Sequence, residues 1–364
     1  MSKKLFGVLV VMLVLTMVLG ACATNAPVAP QEEAAAPQAD TNAPEDASST
    51  KGDALTIVII PKLVHEWYNE VYDGANTAVK ELASKGQQVN IIWSAPTTAD
   101  SAQQADKLEA AISLKPDVIA IAVIDGELVK PLMEQAKAQG IKVIAFDTNF
   151  EGSPADSFVG VSLEGQKKSG AQAADLLIQL IGKDSGKIAM LTGSPDAENH
   201  KLFSGGFEEQ MTAVYPDFQI VSKQADNDDK EKATSLTEAI LAQNPDIDGI
   251  FGGDGSAGTG AAVAVKSAIE AGQIKPDQVK IVEYALTKDN AEMMRQGYVT
   301  GLIDYPPYYI GYYTTMSAAA YFFEDIPLQD VLMPMGVVTT DNMETYLDEY
   351  AAARAEEGIE YWNK

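Results

Sequence analysis

The stretch Glu109-Ala110-Ala111-Ile112-Ser113-Leu114-Lys115-Pro116-Asp117-Val118-Ile119-Ala120-Ile121-Ala122-Val123-Ile124-Asp125-Gly126 decides how this chain is read, because it comes back. Glu109-Ala110, Pro116-Asp117 and Asp125-Gly126 recur as Glu238-Ala239, Pro245-Asp246 and Asp254-Gly255, each displaced by 129 residues. Each copy holds a helix end, a Pro-Asp turn, a short apolar run and an Asp-Gly where the run stops. A short, continuous apolar run suits a parallel strand buried on both faces. Three matches at one displacement predict two lobes of similar build. In open α/β sheets ligands sit at the carboxyl ends of the strands, so two facing lobes would make a cleft there.

Outward from these copies the alternation continues. Strands are predicted at Leu55–Ile60, Val89–Trp93, Val118–Ala122 and Lys142–Phe146, with helices Trp67–Ser84, Ser101–Leu114 and Leu128–Gln139 between them. A second series places helices at Gln166–Ile181, Phe203–Val214, Lys230–Gln243 and Thr259–Ala271, and strands at Lys187–Leu191, Gln219–Lys223, Gly249–Phe251 and Val279–Tyr284. This is the pattern of an α/β protein with two similar doubly wound parallel-sheet lobes.

The composition agrees. The chain has 364 residues, 46% hydrophobic and 21% charged, enough for a sizeable core and inconsistent with global disorder or a polytopic membrane protein. Acids outnumber bases 52 to 26, a formal charge of −26, and such a surface repels nucleic-acid backbones. One cysteine allows no internal disulfide, and two histidines are few for a metal site.

Lys3 and Lys4 precede an apolar run from Leu5 to Leu19. As a helix it would span roughly 22 Å, short of a bilayer core, so residues 1–21 read as a signal peptide. The run closes on Leu19-Gly20-Ala21-Cys22, which resembles a bacterial lipobox and implies lipidation of Cys22. Cleavage would remove two lysines and no acid, taking the charge from −26 to −28. Residues 22–53 are mostly small and polar and read as a disordered tether.

Between residues 55 and 341 the chain resembles the type I periplasmic binding proteins, in particular the ribose-binding-like sugar receptors of ABC transporters. The marks are Trp67-Tyr68 followed by Asp73-Gly74-Ala75, Lys115-Pro116-Asp117-Val118-Ile119, and Gly140-Ile141-Lys142-Val143-Ile144-Ala145-Phe146-Asp147. Gly206-Phe207 and Asn244-Pro245-Asp246 leading to Asp254 complete them. The resemblance implies lobe one at 54–160 and 306–335, lobe two at 161–304 and 336–341, and a three-strand hinge near Gly160, Tyr305 and Met335. Residues 342–364 would add a C-terminal helix. It further implies a monomer that needs no cofactor, binds a sugar-like molecule and meets permease subunits at the membrane.

The resemblance also implies a site. Sugar hydroxyls call for carboxylates and amides, and ring faces call for aromatics. Trp67 and Tyr68 stand where the family stacks aromatics, and His65 where it often has an amide. Asp147 matches a carboxylate ending the fourth strand, with Thr148 and Asn149 beside it. In lobe two Lys201 falls near a usual arginine, with Asn199 competing for that place. Asn227, Asp254 and Tyr284 match further ligand positions, and Tyr305 a polar hinge residue. Ala285 replaces a common aspartate, so one hydroxyl-binding carboxylate is missing or comes from elsewhere. Asp147 and Asp254 also fit helix N-caps.

Other readings stand beside this one. Gly253-Asp254-Gly255-Ser256-Ala257-Gly258 fits the G-x-G-x-x-G of dinucleotide enzymes, with Glu283 as the ribose acid. Against it, Asp254 would set a negative charge beside a pyrophosphate. A hydrolase lacks a nucleophile elbow with a histidine partner, although paired carboxylates would suit a glycosidase. An exported chemoreceptor ligand sensor is the remaining alternative.

Overall fold

The computed structural model describes residues 53–348. The leader, Cys22 and residues 22–52 of the tether lie outside the described residues, as does the C-terminal helix beyond residues 343–348. One six-stranded sheet contains β1 (Ala54–Ile60), β2 (Gln88–Trp93), β3 (Val118–Ile121), β4 (Lys142–Asp147), β5 (Ser157–Gly160) and β11 (Val331–Leu332). Its order is β2-β1-β3-β4-β5-β11, parallel throughout. The other contains β6 (Gly186–Leu191), β7 (Phe218–Gln224), β8 (Gly249–Gly252), β9 (Lys280–Tyr284), β10 (Gly301–Asp304) and β12 (Gly336–Thr339). Its order, β7-β6-β8-β9-β10-β12, repeats the first, except that β12 is antiparallel.

Helices cover both faces of each sheet. In the first lobe α1 (Glu66–Ser84) and α9 (Pro307–Glu324) lie on one face, α2 (Ser101–Ser113) and α3 (Gly126–Ala138) on the other. In the second, α4 (Leu163–Ile181) and α5 (Glu198–Val214) lie opposite α6 (Lys230–Gln243) and α7 (Ala257–Glu270), with short α8 (Lys288–Arg295) against α7. The chain changes sheet after β5, after β10 and between β11 and β12.

The internal repeat has a structural cause, and its register needs one correction. Asp100 and Asp229, 129 residues apart, cap α2 and α6 by accepting from Gln103 N (2.8 Å) and Lys232 N (2.9 Å). Asp125 and Asp254 cap the helices after β3 and β8 in the same way. The strands between are out of step. Asp117 accepts from Thr56 N (2.8 Å) and donates its own N–H to Thr56 O (3.1 Å). In the second lobe the residue that makes this pair of bonds, to Lys187, is Asp248 and not Asp246. Two extra residues enter before β8 and are lost from the turn after it. Asp246 instead pairs with the Lys187 side chain at the surface, 2.6 Å away.

In each lobe a helix pair comes into direct backbone contact through glycines. A Cβ on Gly74 would lie 1.8 Å from Tyr308 O, and one on Gly311 1.8 Å from Val71 O, so α1 and α9 touch through glycines. Gly170 and Gly206 do the same for α4 and α5, at 1.9 Å from Phe203 O and 2.0 Å from Lys167 O. Gly74→Ala and Gly206→Ala should each lower stability by about 1–3 kcal/mol or more, because a rigid backbone cannot yield. Urea denaturation checks this; midpoints within error of wild type would refute the contact.

Candidate functional site

The carboxyl ends of both sheets meet around a small cavity of about 30 Å³. Lys62 and His65 come from the loop after β1, Trp67 and Tyr68 from the first turn of α1, and Asp147 ends β4. The second lobe supplies Asn199 and His200 from the start of α5, Asp228 from the loop after β7, and Tyr284 and Ala285 at the end of β9. Tyr305 follows β10 at the crossover. That volume suits one or two waters. Wider clefts flank it: 460 Å³ on the side of His65, Thr98 and Asn227, and 680 Å³ on the side of Trp67, Thr287 and Arg295.

Asp147 organises the first-lobe side. It is 3% exposed, so its charge needs donors. Tyr68 OH donates to Oδ2 (2.6 Å), Thr148 Oγ1 donates to Oδ2 (3.2 Å) and Tyr305 OH donates to Oδ1. Lys62 Nζ lies 3.2 Å from Oδ2 and also donates across the cleft to Asn199 Oδ1 (2.9 Å). Tyr284 OH lies 3.0 Å from Tyr305 OH and 3.1 Å from Gln166 Oε1, one proton for two acceptors. Burial, and then the charge of Asp147, push the phenols of Tyr68, Tyr284 and Tyr305 above their ordinary values, so all three stay neutral donors. Thr148 N donates back to Phe146 O (2.5 Å) with φ of Asp147 at 58°, a γ-turn of the strained sense. Positive φ also marks Asn227 (63°), Asp228 (60°) and Ala285 (69°), so backbone strain gathers at this cleft.

The two histidines are fixed by backbone amides. Ser194 N donates to His200 Nδ1 (3.0 Å), so the neutral ring carries its proton on Nε2, 3.9 Å from Asp228 Oδ2. Burial first, and then the charge of Lys62, pull His200 down to about 4. His65 caps α1 by accepting from Trp67 N at Nδ1 (3.2 Å), and its Nε2 reaches Ser256 Oγ in the other lobe (3.2 Å).

Of the residues expected at the site, His65, Trp67, Tyr68, Asp147, Tyr284 and Tyr305 line the cavity. Thr148 sits behind it, buried against Asp147. Asn149 is half-buried and off the lining, while Asn227 is exposed and lines the outer cleft. Lys201 faces solvent and pairs with Glu198 at 2.7 Å. The reason is that α5 begins five residues before the predicted Phe203; one residue is 100° of helix, so Asn199 and His200 turn inward and Lys201 outward. Asp254 is fully buried, and its Oδ1 caps α7 through Ser256 N (2.8 Å) and Ala257 N (2.9 Å). Sequence reasoning missed Lys62 and Asp228. Lys62 carried a weak signal, as the cation just beyond a buried strand; Asp228 was hidden in the acidic run Asp226-Asn227-Asp228-Asp229.

The dinucleotide reading meets a steric answer. Glu283 Oε1 accepts from Gly258 N (2.9 Å) and Thr259 N (3.3 Å), and Asp254 takes the two amides before them. The helix terminus that a pyrophosphate would use is filled by the protein's own carboxylates. Among the described residues no three His, Cys, Asp or Glu side chains are arranged to hold a metal ion.

His200 gives a testable pH dependence. Its folded pKa lies below the unfolded value, so the unfolded chain takes the proton first and stability is lost as pH falls from about 6.5 toward about 4. The loss should reach about 3 kcal/mol. His200→Gln should flatten that window in urea titrations; an unchanged slope would contradict a buried neutral ring.

Comparison with known proteins agrees with this geometry. The periplasmic binding protein domain family matches residues 56–324. The D-ribose/D-allose-binding protein of Pseudomonas aeruginosa is 26% identical over 249 residues, covering 68% of this chain and 75% of the relative. The D-apiose import binding protein of Actinobacillus succinogenes is 26% identical, covering 59% and 66%. Among solved structures, an ABC transporter solute-binding protein from Burkholderia graminis in complex with D-arabinose superposes with a TM-score of 0.73 at 25% identity, covering 82% of this chain and 99% of that one. One from Bacillus halodurans with bound myo-inositol gives 0.72 at 20% identity and speaks for the fold alone. The two six-stranded lobes, the crossovers between them and the match across most of the chain place this protein in the periplasmic binding protein family.

Proposed function

We propose that this protein is an extracytoplasmic solute-binding lipoprotein that captures a sugar or sugar-like molecule between its lobes and delivers it to an ABC transporter permease. The observation that carries the reading is Asp147, a buried carboxylate at a strand end, ringed by hydroxyl and ammonium donors from the first lobe and the crossover after β10. Such a group exchanges one set of hydroxyls for another with little change in its own solvation. The aromatic faces of Trp67, Tyr68, Tyr284 and Tyr305 supply the apolar half of sugar recognition. The relatives' names point the same way.

The side chains now in the cavity must withdraw for a pentose to enter, since about 30 Å³ is too small. Opening at the hinge does this by separating Lys62 from Asn199 and His65 from Ser256. We take the moving bodies as 54–160 with 306–335 and 161–304 with 336–341, and 342–364 as an added helix. A ligand touching both bodies then favours the closed form, the condition for ligand-driven closure. The anchor at Cys22 and the tether 22–53 would hold the monomer beside its permease.

Calorimetry against D-ribose, D-allose, D-apiose, D-arabinose and myo-inositol tests the reading, and binding of none of these would count against it. Asp147→Asn should weaken the bound sugar by roughly 1.5–3 kcal/mol with the fold intact. Trp67→Ala should cost about 1–3 kcal/mol of affinity. Cys22→Ser should move the protein from the membrane to the soluble fraction with affinity unchanged; retention on washed membranes would overturn the anchor.

A further inference from the structure

Behind the cleft wall of the second lobe lies a group of acids that ligand contact does not explain. Asp226 and Asp254 are both 0% exposed. Gly193 ties them together: its N–H donates to Asp226 Oδ1 (2.9 Å), and a Cβ on it would lie 3.0 Å from Asp254 Oδ2. One oxygen of each carboxyl is occupied by backbone amides. The other oxygen of each, Asp226 Oδ2 and Asp254 Oδ2, is buried with no donor among the described residues. Among the described residues no lysine or arginine forms an ion pair with either. Asp254 is also within hydrogen-bonding reach of Asp228, the carboxylate that lines the cavity.

Two buried oxygens without donors, on carboxyls that face each other, cannot both belong to anions. Two carboxylates sharing one proton satisfy both at once. We propose that Asp254 is a positioning residue: its Oδ2 carries a proton that it shares with Asp226 and that also reaches Asp228 in a three-centre hydrogen bond, and so it holds that carboxylate against the ligand cleft. This rests on the site reading above for its purpose, but not for its chemistry. The groups that face the cluster are Asp226 and Asp228 from the β7–α6 loop, Glu283 from β9, His200 from α5, and His65 and Lys62 across the cleft.

The electrostatics support the assignment. Burial, and then the charges of Asp226 and Asp228, push Asp254 well above the usual carboxylate range. Burial raises Asp226 as well. Burial opposes the charge on Asp228 too, but His200, His65, Asp254 and Lys62 outweigh it and keep that carboxyl low. The proton therefore stays inside and the cleft keeps an anion. Asp254 thus has two jobs on two oxygens: Oδ1 caps α7, and Oδ2 holds the proton.

Asparagine mimics a protonated aspartate, which makes the test specific. In infrared difference spectra at neutral pH, wild type minus Asp254→Asn should show a protonated-carboxyl band; the contribution of Glu283 cancels. Asp226→Asn should also abolish the band, since its amide then supplies the donor that Asp254 lacks. Each single variant should fold, and the double variant, with two amides opposed, should lose more stability than the singles sum to. Because the folded pKa is raised, wild-type stability should fall as pH rises through it, and either single variant should flatten that slope. A wild type without the band, additive variants, or a band and stability altered by a chelator (a cation in place of the proton) would overturn the proposal. In a separate arm with D-ribose and D-arabinose, Asp254→Asn should keep the affinity of wild type and Asp254→Ala should weaken it by about tenfold. If wild type binds neither sugar, the site reading suffers while the spectra still decide the proton.

Discussion

Burying the charge of Asp147 is the constraint on which the rest of this molecule depends. A carboxylate at 3% exposure is tolerable only if its oxygens are filled by donors. Those donors come from the loop after β1, the first turn of α1, the residue after β4 and the crossover after β10. Three stretches far apart in the chain, at 62–68, 147–148 and 305, must therefore arrive together. Two of them adjoin the places where the chain bends or changes lobe. The strained γ-turn at Asp147 follows, because an extended residue there would carry the carboxylate along β4 instead of into the junction. The aromatic chain from Tyr68 through Trp67 and Tyr305 to Tyr284 makes one apolar core continuous across both lobes.

The fold was legible because its signals are local. Buried parallel strands are short β-branched runs, and Asp100, Asp125, Asp229 and Asp254 announce helix starts wherever they stand. Of the three matches at a displacement of 129 residues, the one that lies on these caps, Asp125 and Asp254, holds in the structure, and Asp100 and Asp229 keep the same displacement. The displacement failed at the strands, where Asp248 replaces Asp246, because a strand register is set by its neighbours and not by the turn before it. Asp73-Gly74-Ala75 and Gly206-Phe207 served as family marks, and their glycines turn out to be places where helix backbones touch.

The site was legible only in part. Aromatics and Asp147 at strand ends carried a readable signal. Lys62 and Asp228 did not, since a lysine in a turn or an aspartate in an acidic run reads as solvated unless the fold is known. Lys201 against Asn199 turned on the start of one helix. Starting α5 at Glu198 instead of Phe203 puts residues 199–201 on the helix, where Asn199 faces the cleft and Lys201 the solvent, and helix ends are the least determined feature of a sequence.

The glycine-rich turn after β8 shows how a motif can be present without its usual purpose. A Cβ on Gly258 would meet Glu283 Oε2 at 2.4 Å, and one on Gly253 would meet Ser204 Oγ at 2.7 Å and Leu191 O at 3.0 Å. These glycines make room for the protein's own acid and its own backbone. The amides at the start of α7 still attract negative charge, as any helix N-terminus does. Here Asp254 and Glu283 answer that attraction from inside the lobe. A free anion would have to displace two buried carboxyls, both raised by burial in pKa and so already sparing the site some repulsion. The same physics that builds phosphate sites elsewhere is spent in this chain on closing the second lobe behind the cleft.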